Sequence, residues 1–158
     1  MFDERGKIKT PDNRKIISIV DETGNNGKST FFKYLLVKHS RTIARFCYGK
    51  AAQLRTRAIN TGGKQIYIVD LARTRGKDDS EADLLAALED IKSGLVTSAL
   101  YGKENTLVMT PPHIIISSNY IFHYDWLSSD RWEIYVIKNN KLKKLNVSIE
   151  NKKEAIKN

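Results

Sequence analysis

Three short runs set the folding problem for this chain: Lys15-Ile-Ile-Ser-Ile-Val20, Gln65-Ile-Tyr-Ile-Val-Asp70 and His113-Ile-Ile-Ile-Ser-Ser118. Each is apolar and β-branched, with turn or helix signals around it, and reads as a buried strand. Strands covered on both faces need helices in two layers, and helical segments separate these runs. The expected fold class is therefore α/β, a three-layer sandwich around a largely parallel central sheet.

Between the strands, Lys28–His39 reads as a helix. Phe31, Tyr34, Leu35 and Lys38 share one face and Phe32 and Leu36 the next, a broad apolar surface suited to packing on a sheet. Thr42–Tyr48 reads as a strand, Ala51–Ala58 as a short helix and Gly62-Gly63 as a turn. Ser80 with Asp83 makes an S-x-x-D capping pattern, followed by Leu84, Leu88 and Ile91 at i, i+4, i+7 and a stop at Gly94. Val96–Met109 looks like a hairpin or loop around Gly102. Arg131–Lys138 and Leu142–Val147 suggest a C-terminal antiparallel strand pair.

A length of 158 residues accommodates one domain with a real core. It is placed at 15–147, after a lead-in segment over 1–14 and before a basic flexible tail over 148–158. The net charge of +9 favours a polyanionic partner. Lys138–Asn158 holds +5 of it, which fits a frayed solvated terminus and a nucleic-acid contact equally. A single cysteine, Cys47, excludes an intrachain disulfide and a thiolate-rich zinc site, and reads as a buried structural thiol in a reducing compartment. His39, His113 and His123 lack metal-ligand spacing. No stretch reaches the about 20 apolar residues of a membrane span, and Met1–Lys9 leads into no apolar signal core; a soluble protein without a membrane partner is expected.

Directly after the first strand comes Asp21-Glu-Thr-Gly-Asn-Asn-Gly-Lys-Ser-Thr30, with Gly27-Lys28-Ser29 where a helix must begin. This is the context of a phosphate-binding loop. Thr23, Gly24, Asn25, Asn26, Gly27, Lys28, Ser29 and Thr30 would wrap the phosphates of ATP. Backbone N–H groups and the helix N-terminus face the anion, Lys28 reaches the β- and γ-phosphates, and the Ser29 hydroxyl holds Mg²⁺. The strict pattern has glycine where this chain has Glu22; Gly24 and two asparagines keep the loop flexible. Asp70 ends its strand as a Mg²⁺-ordering carboxylate would. Leu71-Ala72-Arg73 follows it, so no general base is assigned. Asp78, Asp79 and Glu81 stand nearby and read as solvated loop acids. Asn119, at the end of the third apolar strand, reads on this segment alone as an asparagine that starts a turn; in a nucleotide site it would reach the γ-phosphate and the attacking water.

The segments GNNGKST, IYIVDLAR, IKSGLVTSALYGKE, PPHIIISSNY and LSSDRW follow one another from about Asn13 to Ile137. In order and spacing they resemble the superfamily 3 helicase domain of replication-initiator proteins of small circular single-stranded DNA viruses and related plasmids. A superfamily 3 RNA helicase is a related, less similar alternative. The resemblance implies an AAA+-like P-loop ATPase requiring ATP and Mg²⁺, with Lys28, Asp70, Asn119 and Arg131 as catalytic residues and Ser29 and Asp70 at the metal. Arg131 would be delivered to the neighbouring subunit's nucleotide, which makes hydrolysis depend on assembly.

It further implies self-association into a ring, hexameric in the intact protein, and translocation on single-stranded DNA in rolling-circle replication, with Lys103 and Tyr101 of a pore hairpin on the strand. Leu100 stands where such proteins commonly carry lysine. Family members also carry a nicking endonuclease domain and a helical collar, for which the residues before Lys15 leave no room; the motor alone is expected. The implied location is intracellular, in a host nucleus for a eukaryotic virus or the cytoplasm for a bacterial plasmid. Two other readings stand beside it. One is a small-molecule P-loop kinase with Arg73 and Arg75 in a lid; the other is a helicase-derived module that binds nucleotide and nucleic acid with little turnover.

Overall fold

A computed structural model describes residues 1–47, 49–71, 78–120, 124–139 and 141–145. The elements run β1 (Ile16–Val20), α1 (Lys28–Lys38), β2 (Ile43–Phe46), α2 (Ala51–Asn60), β3 (Ile66–Asp70) and α3 (Asp78–Ser93). They continue with β4 (Leu95–Ser98), β5 (Asn105–Val108), β6 (His113–Ser118), β7 (Trp132–Lys138) and β8 (Lys141–Leu145). Six strands form one sheet in the order β2-β3-β6-β1-β7-β8, parallel except for β8, while β4 and β5 make a separate antiparallel pair. The α/β class, the mostly parallel sheet and the C-terminal antiparallel pair agree with the pattern of apolar runs.

Alternation along each strand divides the core in two. On one face Tyr67, Val69, Ile114 and Ile116 pack under α2 and α3 with Leu54, Ala58, Leu84, Leu88 and Ile91. On the other, Ile66, Ile68, Ile115 and Ile43 meet Phe32 and Leu35 of α1, with Met1, Phe2 and Ile8 packed alongside. The helices thus lie in two layers about the sheet. Lys92, near the end of α3, is also buried, its Nζ donating to the Pro112 carbonyl oxygen at 2.7 Å.

Several expectations need correction. The inward face of α1 is narrow: Phe32 and Leu35 are buried, but Phe31 and Tyr34 stay half exposed. Tyr34 instead accepts a hydrogen bond from Lys38 Nζ at 2.9 Å on the solvent side. Ser80 does not cap α3, because the helix has already begun at Asp78. Glu81 is no loop acid; it lies in α3, 2% exposed, and accepts a hydrogen bond from the Tyr120 hydroxyl at 3.0 Å. Cys47 is exposed, since Phe46 before it turns into the core and consecutive side chains point to opposite faces.

The C-terminal lysines are not all in a frayed tail. Lys138 closes β7, and Lys141, Lys143 and Lys144 belong to β8. β8 is one of the two edge strands of this sheet and wholly exposed, and charge along an edge discourages pairing with another chain. The 148–158 tail and the end of the expected last strand lie outside the described residues, as do Arg73, Arg75 and His123. Among the described residues no helix is long and apolar enough to cross a membrane.

Candidate functional site

The strand order brings separate segments of sequence to one edge. β6 lies between β1 and β3, with Val20 in register with Ser118 and Asp70 with Ser117. The carboxyl ends of β1, β6 and β3 are therefore consecutive, and Asp70 stands two strand spacings, about 10 Å, from the start of the loop after β1. Ligands of open α/β sheets collect at this edge. Asn119 is the residue after β6 and is partly buried there.

The loop has a defined shape rather than the flexibility its composition suggests. Gly24, Asn25 and Gly27 take left-handed φ values of 69°, 65° and 77°. Glu22 is not among the positive-φ residues, so the position where the strict motif has glycine makes no left-handed demand here. Gly27 caps α1 without a side-chain bond, and the first-turn N–H groups of Lys28, Ser29 and Thr30 have no partner within the helix. Ser29 and Thr30 are exposed. The loop end of α1 is open to an anion.

The residue that organises the loop is Asp21, which sequence reading passed over. Its side chain is fully buried. Its Oδ1 accepts from the Gly24 N–H at 2.9 Å, Asn26 Nδ2 at 2.6 Å and Thr23 Oγ1 at 3.3 Å. Its Oδ2 accepts from Lys28 Nζ at 2.7 Å. Burial is the largest single influence and pushes the carboxyl up, but the hydrogen bonds from Lys28 and Asn26 outweigh it and hold it below the ordinary carboxylate range. A charged residue closing a buried strand, seven positions before Lys28, was the available signal.

Asp70 is also engaged. Its Oδ2 pairs with Arg45 Nη2 of the adjoining β2 at 2.6 Å, and that bond, opposed by burial, raises the guanidinium above its ordinary value. Asp70 shares strand parity with Ile66 and Ile68, Ser117 with Ile115 and Arg45 with Ile43. All three therefore face the α1 layer, the layer that carries the loop. Ser117 Oγ is fully buried and has no hydrogen-bond partner among the described residues. An orphaned hydroxyl beside a carboxylate and a lysine-bearing loop fits a site that takes a hydrated cation and a polyanion. Among the described residues no group of three or more His, Cys, Asp or Glu side chains is placed to hold a metal. Hydroxyl ligands such as Ser29 fall outside that set.

The structure does not bring Arg131 to this edge. Trp132 is in register with Ile16 at the start of β1, so Arg131 sits at the amino edge, about 16 Å of strand away from the loop. There it pairs with Glu89 Oε1 at 3.5 Å. Lys103 is exposed at the tip of the β4–β5 hairpin, after a turn through Gly102. Thr56 and Ser98 hydroxyls 2.7 Å apart fasten that hairpin to α2. The Tyr101 side chain lies outside what the structure describes. In comparison with known proteins, no family model matches this sequence and no curated protein matches it.

Proposed function

We propose that the edge formed by the loop after β1, Ser117–Asn119 and Asp70 binds Mg-ATP, and that the chain is the ATPase motor of a superfamily 3-type helicase acting on single-stranded DNA. The observation that carries this reading is the adjacency of the Lys28 loop and Asp70 on one face of the sheet, around a buried hydroxyl that has no hydrogen-bond partner among the described residues. Lys28 and the first-turn N–H groups of α1 would hold the triphosphate. Ser29 and Asp70 would hold Mg²⁺, which supplies charge neutralisation across the β- and γ-phosphates when bound. Asn119 would orient water at the γ-phosphate. Arg131, at the opposite end of the strands from the loop of its own chain, would serve a second copy's nucleotide, as hydrolysis between subunits requires. The exposed Lys103 supports contact with a phosphate backbone at the hairpin.

A module that binds nucleotide and turns it over slowly is the second reading, favoured by the Arg45–Asp70 and Arg131–Glu89 pairs that engage both groups within one chain. Steady-state ATP hydrolysis with Mg²⁺, with and without single-stranded DNA and over a range of protein concentration, separates the two. For the motor, turnover rises more steeply than protein concentration. Lys28→Ala and Arg131→Ala both abolish it, and Arg131→Ala still binds nucleotide. Binding with background turnover at every concentration selects the module, and absence of nucleotide binding removes both.

A further inference from the structure

The division of labour between the two oxygens of Asp21 is informative. Oδ1 takes the bonds that shape the loop, from Gly24, Asn26 and Thr23, whereas Oδ2 takes Lys28 Nζ. Lys28 can therefore leave Asp21 while every bond to Oδ1 persists. The pair is also sequestered: the Asp21 side chain is fully buried and that of Lys28 is 11% exposed. An arriving phosphate thus meets a loop whose cation already has an anionic partner, with a fixed negative charge behind it.

We infer that Asp21 is an internal stand-in for phosphate, a positioning residue that holds Lys28 in the empty loop and gives it up to nucleotide, so that the carboxylate lowers affinity for di- and triphosphates. This rests on the phosphate-binding reading of the loop. Two effects act in the same direction. Drawing Lys28 away costs a charge-assisted hydrogen bond and leaves Oδ2 buried without its partner. The carboxylate also repels the incoming anion. A carboxylate that serves only to staple the loop has the opposite consequence, since neutralising it loosens the cradle and weakens binding.

The test is calorimetric titration of wild type and Asp21→Asn with Mg-ATP, Mg-ADP and inorganic triphosphate. Asparagine keeps an oxygen for the Gly24 N–H and removes the charge. The expected result is binding roughly tenfold tighter in the variant, with the largest gain for triphosphates. Unchanged or weaker binding by a folded Asp21→Asn protein, alongside measurable binding by wild type, overturns the stand-in role alone. Should wild type bind none of the three ligands, the phosphate-loop reading falls and takes this inference with it. If the variant does not fold, NMR of the wild-type protein decides, through the Lys28 ¹⁵Nζ and Asp21 ¹³Cγ signals. Both shift on saturation with Mg-ATP if the pair separates, and a pair that persists in the saturated complex overturns the inference.

Discussion

On the proposed reading, Arg45 and Asp70 present at the metal the same problem that Lys28 and Asp21 present at the phosphates. A divalent cation drawn to Asp70 would compete with a guanidinium held at 2.6 Å from its Oδ2. Arg45→Gln should accordingly lower the Mg²⁺ concentration that half-saturates nucleotide binding, as read by Mg²⁺ titration at fixed ATP; an unchanged midpoint would show that the pair does not compete. Gly94 is constrained by the backbone. It ends α3 with φ +78°, and a Cβ there would overlap the Met109 carbonyl oxygen. Gly94→Ala should cost about 1–2 kcal/mol from the left-handed backbone alone, more once the overlap is relieved, and thermal denaturation measures it.

Among the elements, α1 joins the core to the loop, and only one of its two adjacent phenylalanines does so. Phe32→Ala should destabilise the protein by about 3–5 kcal/mol. Phe31→Ala, at a half-exposed position, should cost well under half as much, as urea titration of the two variants would measure. In α3, Lys92 is 1% exposed, and burial above all lowers its pKa from 10.5 to about 8, with Asp12 opposing and Arg131 assisting. Between those two values the unfolded chain binds the proton that the folded one has released, so stability rises with pH across that window and is flat in this term below it. The Tm of wild type should gain on that of Lys92→Met between pH 8 and pH 10.5; parallel curves would place the amine in water.

At the scale of the whole molecule, the loop and Arg131 occupy opposite edges of one sheet. A complete catalytic set on this reading needs two copies, which yields a complementation experiment. Lys28→Ala lacks a working loop but keeps its arginine, and Arg131→Ala has the reverse defect. Each alone should be inactive, while their mixture should regain a fraction of wild-type ATP hydrolysis at interfaces that join an intact loop to an intact arginine. A mixture as inactive as its parts would argue that Arg131 serves its own chain or none.

Local regularity makes much of this architecture legible in the sequence. Buried β-branched runs, the Gly94 stop and the turn at Gly102 depend on period and backbone conformation, properties that each segment carries by itself. The helix at Lys28 and the carboxylate closing β3 were readable for the same reason. Burial of the individual side chain was not, because it depends on what a neighbouring element brings. Phe31 and Phe32 are the same residue at adjacent positions with opposite fates, and Glu81 became a buried acid when α3 was set beside Tyr120. Asp21 and Arg45 were passed over because their significance is pairwise: a carboxylate after a strand and an arginine within one are unremarkable until the fold places Lys28 and Asp70 against them. Sequence alone determined the strands, the loop and the chemistry available at its ends. Strand order, a product of long-range packing, decided which ends share an edge, which charges meet, and that Arg131 faces away from the loop of its own chain.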